Sequence, residues 1–520
     1  MPAFPLATGP VNGCRALSGR KGSMEATDSR LIVTMRRDWW KYAVLLAFAV
    51  LVAVAIAKHE PFVDEGQAWL IARDAGPFAV LFKYLAYEGH PFLWYFTLMI
   101  PAKLGAPYVT LNIISGIVAI AAVFLWLRYS PFPWYLTAAF PFTFWIIYQY
   151  SVVARSYTLV LPLLILIAIV YPRKMEKIWL FTLLVSLLAN VSLHCTLVAI
   201  ALFAVHALDV RKKWFALSRS SKKNNLAAFA VFAAVLAFIA VQLWPRRDMT
   251  IKFHGDFSAA QFWRVARFLF SGPMTNYWWL TLIVLIGSLA WFWRRKVLLL
   301  YLLPTLFLFV FISAFPTSTP NNGILVLVWL FVMWISFQGL AKKPAVDRLT
   351  SGLHVTAICM LAIVMAVQIV WGIRAFVYDM KNPYSGTQAV ADFIKINELE
   401  NAKIFMVGHT CSGVLPYFKK NIFANYNGGN KPAFWYDSTT NNTPDTLDPR
   451  AMAEISNGRP DLVVADLASF NSQEQLRSFA ERSGYAVLGP FPGNEYFESR
   501  AGTVPAYSYV VLVNRQKFRL

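Results

Sequence analysis

The chain has 520 residues, of which 58% are hydrophobic and 14% charged, and its formal net charge is +21. Soluble domains have about 25% charged residues, so this composition excludes an ordinary soluble enzyme and favours a membrane protein. The positive charge would also suit a nucleic-acid-binding protein, but the basic residues are concentrated in loops between apolar runs, and we do not favour that alternative.

The N-terminal segment 1–38 is rich in Gly, Ser and Arg and shows no periodicity. It is predicted to be a disordered cytoplasmic leader. The apolar run from Trp39 to Ala57 follows Arg36 and Arg37 and has no small-residue cleavage site behind it, which is typical of a retained signal anchor. The four cysteines are far apart in the sequence, so neither a disulfide framework nor a zinc-binding spacing is predicted.

Apolar runs of helical length recur along the chain and predict about eleven membrane spans in a transmembrane domain, 39–373. The runs are 42–57, 108–127, 133–148, 156–171, 178–190, 194–208, 226–244, 278–293, 297–314, 322–338 and 352–372. Roughly 23 of the 48 Lys and Arg residues lie in alternate loops, which the positive-inside rule places in the cytoplasm. The segments predicted to lie outside are 58–107, 149–155, 245–277, 315–321 and 373–520.

The first predicted outer loop begins with Asp64 and Glu65, two adjacent carboxylates at the level of the lipid head groups. A carboxylate at this depth can act as a general base, orient an acceptor hydroxyl or hold a divalent cation. The alternative is structural, with Asp64 as the N-cap of an amphipathic helix over 65–74 and Glu65 in its first turn.

Further along the same loop, Glu88 and His90 precede Pro91 and a short aromatic segment, 92–96. His90 could donate to a phosphate oxygen, and Glu88 could join a metal site or tune that histidine. The alternative is an aromatic belt that anchors the loop at the membrane interface.

Two further polar residues lie at predicted outer ends of spans, where ionisable groups tend to face a cavity. Arg155 has the guanidinium that suits a phosphate leaving group, although a snorkelling arginine would lie at the same depth. His194 lies in the turn 190–194 and is either a ligand or the partner of a neighbouring carbonyl, with the second interpretation slightly favoured.

The outer loop 245–277 contains Arg246, Arg247, Lys252 and His254, followed by an amphipathic stretch from Phe257 to Phe270. This stretch is predicted to lie flat on the membrane. The basic residues could guide an anionic lipid head group to the protein or bind bulk phospholipid.

Hydrophobicity falls sharply near residue 374, and the remaining residues 374–520 are predicted to form an extracytoplasmic α/β domain. The predicted elements are a helix over 386–399 capped by Ser385 with Gln388, strands over 403–408, 461–467 and 507–513, and a helix capped by Asn471 with Glu474 that ends at Gly484. The loop 425–436 mixes aromatic and amide side chains. It is either a carbohydrate contact or a surface loop held by buried aromatic residues.

These motifs together resemble the GT-C superfamily of integral-membrane glycosyltransferases, which includes protein O-mannosyltransferases and bacterial lipid A aminoarabinose transferases. The similarity lies in the order and spacing of four features after the first span: the pair Asp64–Glu65, the segment Glu88–Tyr95, the segment Tyr150–Tyr157 and the histidine-bearing turn Asn190–His194. It covers most of the chain from about residue 40, with detailed motifs in the first third. The fold implied by the resemblance is a polytopic α-helical membrane protein with a C-terminal soluble α/β domain.

The resemblance also implies a reaction. The donor would be a polyprenyl-phosphate sugar, hexosyl or pentosyl, and the acceptor a lipid, glycan or protein presented from the outer face of a bacterial inner membrane, with inversion at the anomeric carbon. Asp64 would be the catalytic base or would orient the acceptor, and Glu65 would support its geometry. His90 and Arg155 would face the donor phosphate.

Only some members of the superfamily require a divalent cation. If this chain requires one, Glu88 and His194 would hold it, and the ion would be Mg, Mn or Zn. The sequence departs from the superfamily in the loop 316–323, which lacks the expected arginine. Arg246 or Arg247 would then have to supply the missing phosphate contact.

Two other functions would also use a polytopic membrane protein. A transporter or flippase for lipid-linked sugars would place charges near span midpoints and show repeat symmetry, and neither feature is found in the sequence. A non-catalytic protein whose tail binds a glycan would keep the fold without needing Asp64.

Overall fold

A computed structural model describes residues 19–249, 258–315, 319–338, 347–436, 438, 446–497, 502–505 and 507–518. The first part of the predicted leader, as well as Lys252 and His254, lies outside the described residues. The first helix begins at Gly19, upstream of the predicted signal anchor, and its apolar part runs from Asp38 to Ile56.

Most of the described chain is helical. Within the described residues the α-helices are α1 (Gly19–Ile56), α2 (Val63–Asp74), α3 (Pro77–Ala79), α4 (Leu85–Glu88), α5 (Leu93–Lys103), α6 (Thr110–Tyr129), α7 (Trp134–Ala139), α8 (Val160–Val170), α9 (Ile178–Ala189), α10 (Leu193–Lys213), α11 (Arg219–Leu243), α12 (Ala259–Ser271), α13 (Trp278–Arg294), α14 (Leu298–Ala314), α15 (Gly323–Phe337), α16 (Arg348–Asp379), α17 (Thr387–Ile396), α18 (Pro449–Gly458) and α19 (Gln473–Ser483).

Six helical segments of the described chain are long and apolar enough to cross a membrane. They are Asp38–Ile56, Thr110–Tyr129, Ser156–Arg173, Leu193–Ala216, Arg219–Leu243 and Arg348–Asp379. Four shorter apolar helices are α9, α13, α14 and α15. These ten segments coincide with predicted apolar runs, whereas the predicted total of about eleven spans is not confirmed.

The predicted run 133–148 differs from the others because it is not one continuous helix. It is divided into α7, a 3-10 turn over Phe140–Phe142 and a π-helical turn over Trp145–Gln149. Pro141 lies at the break, where its ring and missing N–H prevent an α-helix from continuing. The turn Trp145–Gln149 is fully buried, so it packs inside the helical bundle.

Residues 374–520, called the tail below, contain a four-stranded mixed sheet and a two-stranded ribbon in their described part. Its strands are β1 (Ile404–Val407), β2 (Leu462–Asp466), β3 (Tyr485–Phe491), β4 (Asn494–Phe497), β5 (Gly502–Pro505) and β6 (Tyr509–Asn514). The order in the larger sheet is β1-β2-β6-β3, with β1 and β2 parallel and β6 antiparallel to both of its neighbours. Strands β1, β2 and β6 are buried along their whole length.

Two predicted helix caps in the tail are wrong. Helix α19 is capped by Ser472, whose Oγ accepts from the N–H of Gln475 at 3.1 Å, and Asn471 lies one residue further out. Helix α17 begins after Gly386, and Ser385 Oγ accepts from the N–H of Thr387 at 3.4 Å, so the expected capping box of Ser385 with Gln388 does not form. Gly484 does end α19, in the left-handed conformation with φ 77°.

The predicted outer loop 58–107 and the tail share one apolar cluster. Its buried members include Trp69 and Leu70 of α2 together with Val414 and Leu415 of the tail. Two glycines allow the close approach. A Cβ atom on Gly66 would lie 2.9 Å from Pro416 Cγ, and one on Gly413 would lie 3.2 Å from Val63 Cα. The tail therefore packs directly on α2 and helps to fix its position.

Candidate active site

A cavity of about 230 Å³ lies between α2, the end of α4, the start of α5 and the tail. Its wall combines carboxylate, guanidinium, imidazole, amide and aromatic groups, which is the mixture expected of a site for a polar ligand. The lining residues are Val63, Asp64, Gln67, Ala68, Tyr87, Glu88, His90, Trp94, Tyr95, Arg155, Ser156, His409, Ser412 and Trp435. Four of the sequence-predicted site residues, Asp64, Glu88, His90 and Arg155, thus line the same cavity.

Asp64 lies in the first turn of α2, and its side chain is 51% exposed. One carboxylate oxygen is paired with Nη1 of Arg155, which is itself only 17% exposed. The N-cap of α2 is Phe62, so the alternative in which Asp64 caps the helix is wrong. Asp64 is instead free of the helix backbone and faces the cavity.

Glu65 is completely buried on the other side of α2. Its carboxylate accepts four hydrogen bonds, from His59 Nε2 at 3.2 Å, Phe62 N at 3.1 Å, Asn112 Nδ2 at 3.0 Å and Ala154 N at 2.7 Å. The bond to Phe62 satisfies an N–H group at the start of α2. Glu65 therefore ties together α2, α6 and the segment before Arg155, and lies outside the cavity lining.

His59 extends this network to the end of α16, because its Nδ1 lies 3.1 Å from Oδ2 of Asp379. Burial opposes the positive charge of His59, but Asp379 and Glu65 outweigh that effect and raise its pKa to about 10. A charged imidazole thus joins two buried carboxylates.

Arg155 follows directly after Ala154, whose N–H is held by Glu65. Burial opposes the charge on the guanidinium, but the neighbouring Asp64 more than compensates and raises the pKa of Arg155 above its usual value. The Arg155 side chain therefore supplies a permanent positive charge at the cavity wall.

Glu88 is held inside the cavity by two donors, Gln67 Nε2 at 2.8 Å and Tyr95 Oη at 3.1 Å. Burial raises the pKa of Glu88 to about 7, although both donors favour the ionised form. The charge on this wall of the cavity therefore changes near neutral pH.

His90 packs edge-on against the ring of Tyr157, with the ring centroids 5.9 Å apart. Burial, together with the positive charge of Arg155, lowers the pKa of His90 to about 3, so the imidazole is neutral. Its Nδ1 is buried and has no hydrogen-bond partner among the described residues. A neutral His90 can donate one N–H to a ligand.

His194 is buried at the start of α10 and packs edge-on against Phe311, with the ring centroids 5.1 Å apart. It does not line the cavity that contains Glu88. Neither ring nitrogen of His194 has a partner within the described chain, so the favoured hydrogen bond to a neighbouring carbonyl is not found there.

The predicted cation ligands do not form a cluster. Across the described residues, no three His, Cys, Asp or Glu side chains come together as a set that could hold a metal ion. Both oxygens of Glu88 are already occupied by Gln67 and Tyr95. The donor set of Glu88 and His194 therefore does not fit a dedicated site, and the divalent cation remains a sequence-based prediction.

The predicted phosphate contacts Arg246 and Arg247 are exposed and do not line the cavity. A guanidinium nitrogen of Arg246 donates to the carbonyl of Phe82. The neighbouring Asp248 accepts from Tyr87 Oη at 2.8 Å and from Ser438 Oγ at 2.6 Å. This loop thus contacts the cavity wall through Tyr87, and a donor role for the two arginines stays a prediction.

Three tail residues also line the cavity, of which His409 and Ser412 were not predicted as site residues and Trp435 belongs to the loop considered as a carbohydrate contact. His409 and Ser412 follow β1 at its carboxyl end, and Trp435 lies in the loop 425–436. The rings of His409 and Trp435 are 4.9 Å apart, and the carbonyl of Trp435 accepts from Gln67. The carboxyl ends of parallel strands commonly carry ligand-binding residues, and this rule could have indicated His409.

No family model matches the sequence, and no curated protein matches it. Among solved structures, the crystal structure of ArnT from Cupriavidus metallidurans in the apo state is similar, with a TM-score of 0.51 and 12% identity, covering 92% of this chain and 98% of that chain. The chain has the ArnT fold. A second crystal structure, of the same ArnT bound to undecaprenyl phosphate, has a TM-score of 0.47 with the same identity and coverage.

ArnT is an aminoarabinose transferase of the GT-C type. The predicted resemblance to the GT-C superfamily is therefore confirmed at the level of the fold. The ArnT likeness extends over nearly the whole chain, including the tail, which carried no motif-level resemblance in the sequence.

Proposed function

We propose that this chain is a membrane glycosyltransferase that moves a sugar from a polyprenyl-phosphate donor to an acceptor on the extracytoplasmic face of a bacterial inner membrane. The observation that carries the proposal is the pair of Asp64 and Arg155 on the wall of a polar cavity, in a chain that has the ArnT fold. The positive charge of Arg155 supports this donor class, and undecaprenyl phosphate is the ligand bound to that ArnT.

The reaction is a single displacement at the anomeric carbon. An acceptor hydroxyl gives its proton to the Asp64 carboxylate as its oxygen attacks, and the bond between the sugar and the phosphate oxygen breaks. The leaving polyprenyl phosphate gains negative charge, which Arg155 stabilises, while His90 donates one hydrogen bond. Attack from the side opposite the phosphate inverts the configuration.

Ligand binding would have to break the ion pair between Asp64 and Arg155. A donor phosphate would take over the guanidinium, and the released carboxylate would then be available to the acceptor. Glu65 keeps both groups in place during this exchange, because it holds α2 through Phe62 and the Arg155 segment through Ala154.

A polyprenyl chain also needs an apolar site between helices. A cavity of about 320 Å³ lies between α13, α14 and the segment around Pro273 and Met274, and its lining is almost entirely apolar. This cavity would accommodate part of a prenyl chain.

We extend the proposal to the topology predicted from the basic loops: about eleven spans, a cytoplasmic N-terminus and an extracytoplasmic α/β domain over 374–520. The charge distribution supports it. Cysteine labelling at exposed positions such as Glu400 and Lys212, with an impermeant reagent on intact cells, should modify only the first.

The function is tested in cells that lack the gene, by comparing their surface glycolipids and glycans by mass spectrometry with those of complemented cells. The wild-type gene should restore a sugar that the deletion removes, and Asp64→Asn should not, although its protein level is normal. Asp392→Asn, which changes an exposed aspartate outside the cavity, is the matched control and should restore it. Full restoration by Asp64→Asn would overturn the proposed reaction.

A further inference from the structure

A second and larger cavity lies on the opposite side of α2 from the candidate active site. Its volume is about 1000 Å³. The two cavities share no lining residue, since Asp64 and Gln67 of α2 face the first, whereas Trp69 and Arg73 face the second. The proposed reaction makes no use of this second cavity.

Basic side chains dominate the polar part of its lining. They are Arg73, Lys103, Lys395, Lys419 and Lys431, in addition to His59, whose ring is fully engaged by Glu65 and Asp379. Within the described part of the chain, no aspartate or glutamate lines this cavity. The lining therefore presents an excess of positive charge.

Two of these cations share one counter-ion. Asp74 pairs with Arg73 at 2.8 Å and with Lys431 at 3.1 Å, so the three groups together keep one net positive charge. The remaining three cations are Lys103, Lys395 and Lys419. Lys103 Nζ donates to the carbonyl of Ala75 at 2.7 Å rather than to a carboxylate.

The other two lysines face aromatic rings or solvent. The ammonium of Lys395 lies 5.8 Å from the ring centroid of Tyr417 and 5.2 Å from that of Phe418. Lys419 is exposed, and among the described residues neither it nor Lys395 forms an ion pair. These lysines are available to an anionic ligand without the loss of an existing ion pair.

The position of the cavity indicates where such a ligand comes from. Its lining includes Ile56 at the end of α1 and Val109 just before α6, so the cavity opens where two membrane spans end. Ile100 and Leu104, near the end of α5 beside Lys103, are 71% and 82% exposed. Exposed aliphatic side chains beside a basic cavity match the two parts of a phospholipid, an acyl chain and an anionic head group.

We propose that this cavity binds the phosphate-bearing head group of an anionic membrane lipid, with the phosphate near Lys395 and Lys419 and the acyl chains along Ile100 and Leu104. A soluble phosphate would meet the same lysines, but it would make no use of the apolar rim. The site is separate from Asp64, so lipid binding does not depend on the proposed transfer reaction.

The test uses the purified full-length protein in detergent and native mass spectrometry, which resolves bound lipids one by one. The probes are phosphatidylglycerol, phosphatidylcholine and inorganic phosphate. The variant Lys395→Gln with Lys419→Gln removes two charges from the cavity. The control, Lys381→Gln with Lys420→Gln, removes two exposed lysines that do not line it.

The wild type and the control should bind one phosphatidylglycerol in preference to phosphatidylcholine. The cavity variant should bind it about tenfold to thirtyfold more weakly, since each lysine at a membrane surface contributes about a factor of five. Excess inorganic phosphate should not displace the lipid. Equal binding of both lipids, equal loss in the control variant, or displacement by inorganic phosphate would each overturn the proposal, whether or not the chain transfers sugar.

Discussion

The two faces of helix α2 differ in how their acidic residues are used, although Asp64 and Glu65 are adjacent in the sequence. Asp64 is half exposed and has one partner, Arg155. Glu65 is completely buried and has four donors. A carboxylate with one partner can exchange it for a ligand, whereas one with four donors cannot do so without leaving them buried and unsatisfied. Asp64 is therefore suited to catalysis, and Glu65 is suited to positioning α2 and the segment before Arg155.

The largest effect is expected when Arg155, the partner of Asp64, is removed. Arg155→Gln should lower sugar transfer by about a hundredfold to a thousandfold, as expected when a preorganised group that stabilises transition-state charge is lost. The measurement is the rate of sugar transfer in membranes with matched protein levels. Arg477→Gln, an exposed arginine of α19, is the control. A loss below about threefold would contradict the role given to Arg155.

On the other face, Glu65→Gln should affect stability first. The amide cannot accept from all four donors, and His59 would lose one of its two carboxylates. We expect a loss of about 2 to 3 kcal/mol in the free energy of unfolding, seen as a lower thermal midpoint in detergent. Glu481→Gln, an exposed glutamate, should leave the midpoint unchanged. An unchanged midpoint in Glu65→Gln would remove the distinction between the two faces.

The same buried network predicts a pH dependence of stability. The pKa of His59 is about 10 in the folded protein and about 6.5 when unfolded. Its stabilising effect is therefore fully present below about pH 6.5 and is lost as the pH rises towards 10, because only the unfolded state releases the proton in this range.

The thermal midpoint should fall by several degrees across that window. The fall should be smaller in His59→Asn, and the difference between the two proteins cancels the contributions of other titrating groups. Parallel curves would show that His59 is not charged in the folded protein.

The sequence predicted Arg155 because ionisable groups at span ends are rare and costly, and Asp64, Glu88 and His90 because carboxylate and imidazole groups near the membrane surface can serve catalysis or phosphate binding. The sequence could not predict which of these side chains contact each other. Asp64 and Arg155 are 91 residues apart, and the contact depends on how α2 and the segment before α8 pack. The same limit applies to His194, which has the right residue type and predicted depth but is buried against Phe311.

The sequence rules for helix ends predicted the end of α19 correctly, because Gly484 alone favours the left-handed conformation found there. The same rules failed at the start of α19, because Asn471 and Ser472 are neighbours and either side chain could cap the helix. His409 and Ser412 were missed for a different reason. No local pattern in the sequence indicates that the segment after β1 and the loop 425–436 pack against α2.

Substitutions of Trp435 test whether the tail contacts the substrates in the cavity that contains Asp64. Its indole lines the cavity beside His409, and aromatic rings commonly pack against the apolar faces of sugars. Trp435→Ala should raise the KM for the sugar donor or acceptor by about fivefold, equivalent to about 1 kcal/mol, with little change in kcat. Trp435→Phe keeps a ring and should stay close to the wild type. If Trp435→Ala lowers kcat instead and leaves KM unchanged, the indole acts by positioning its neighbour His409 rather than by contacting the sugar.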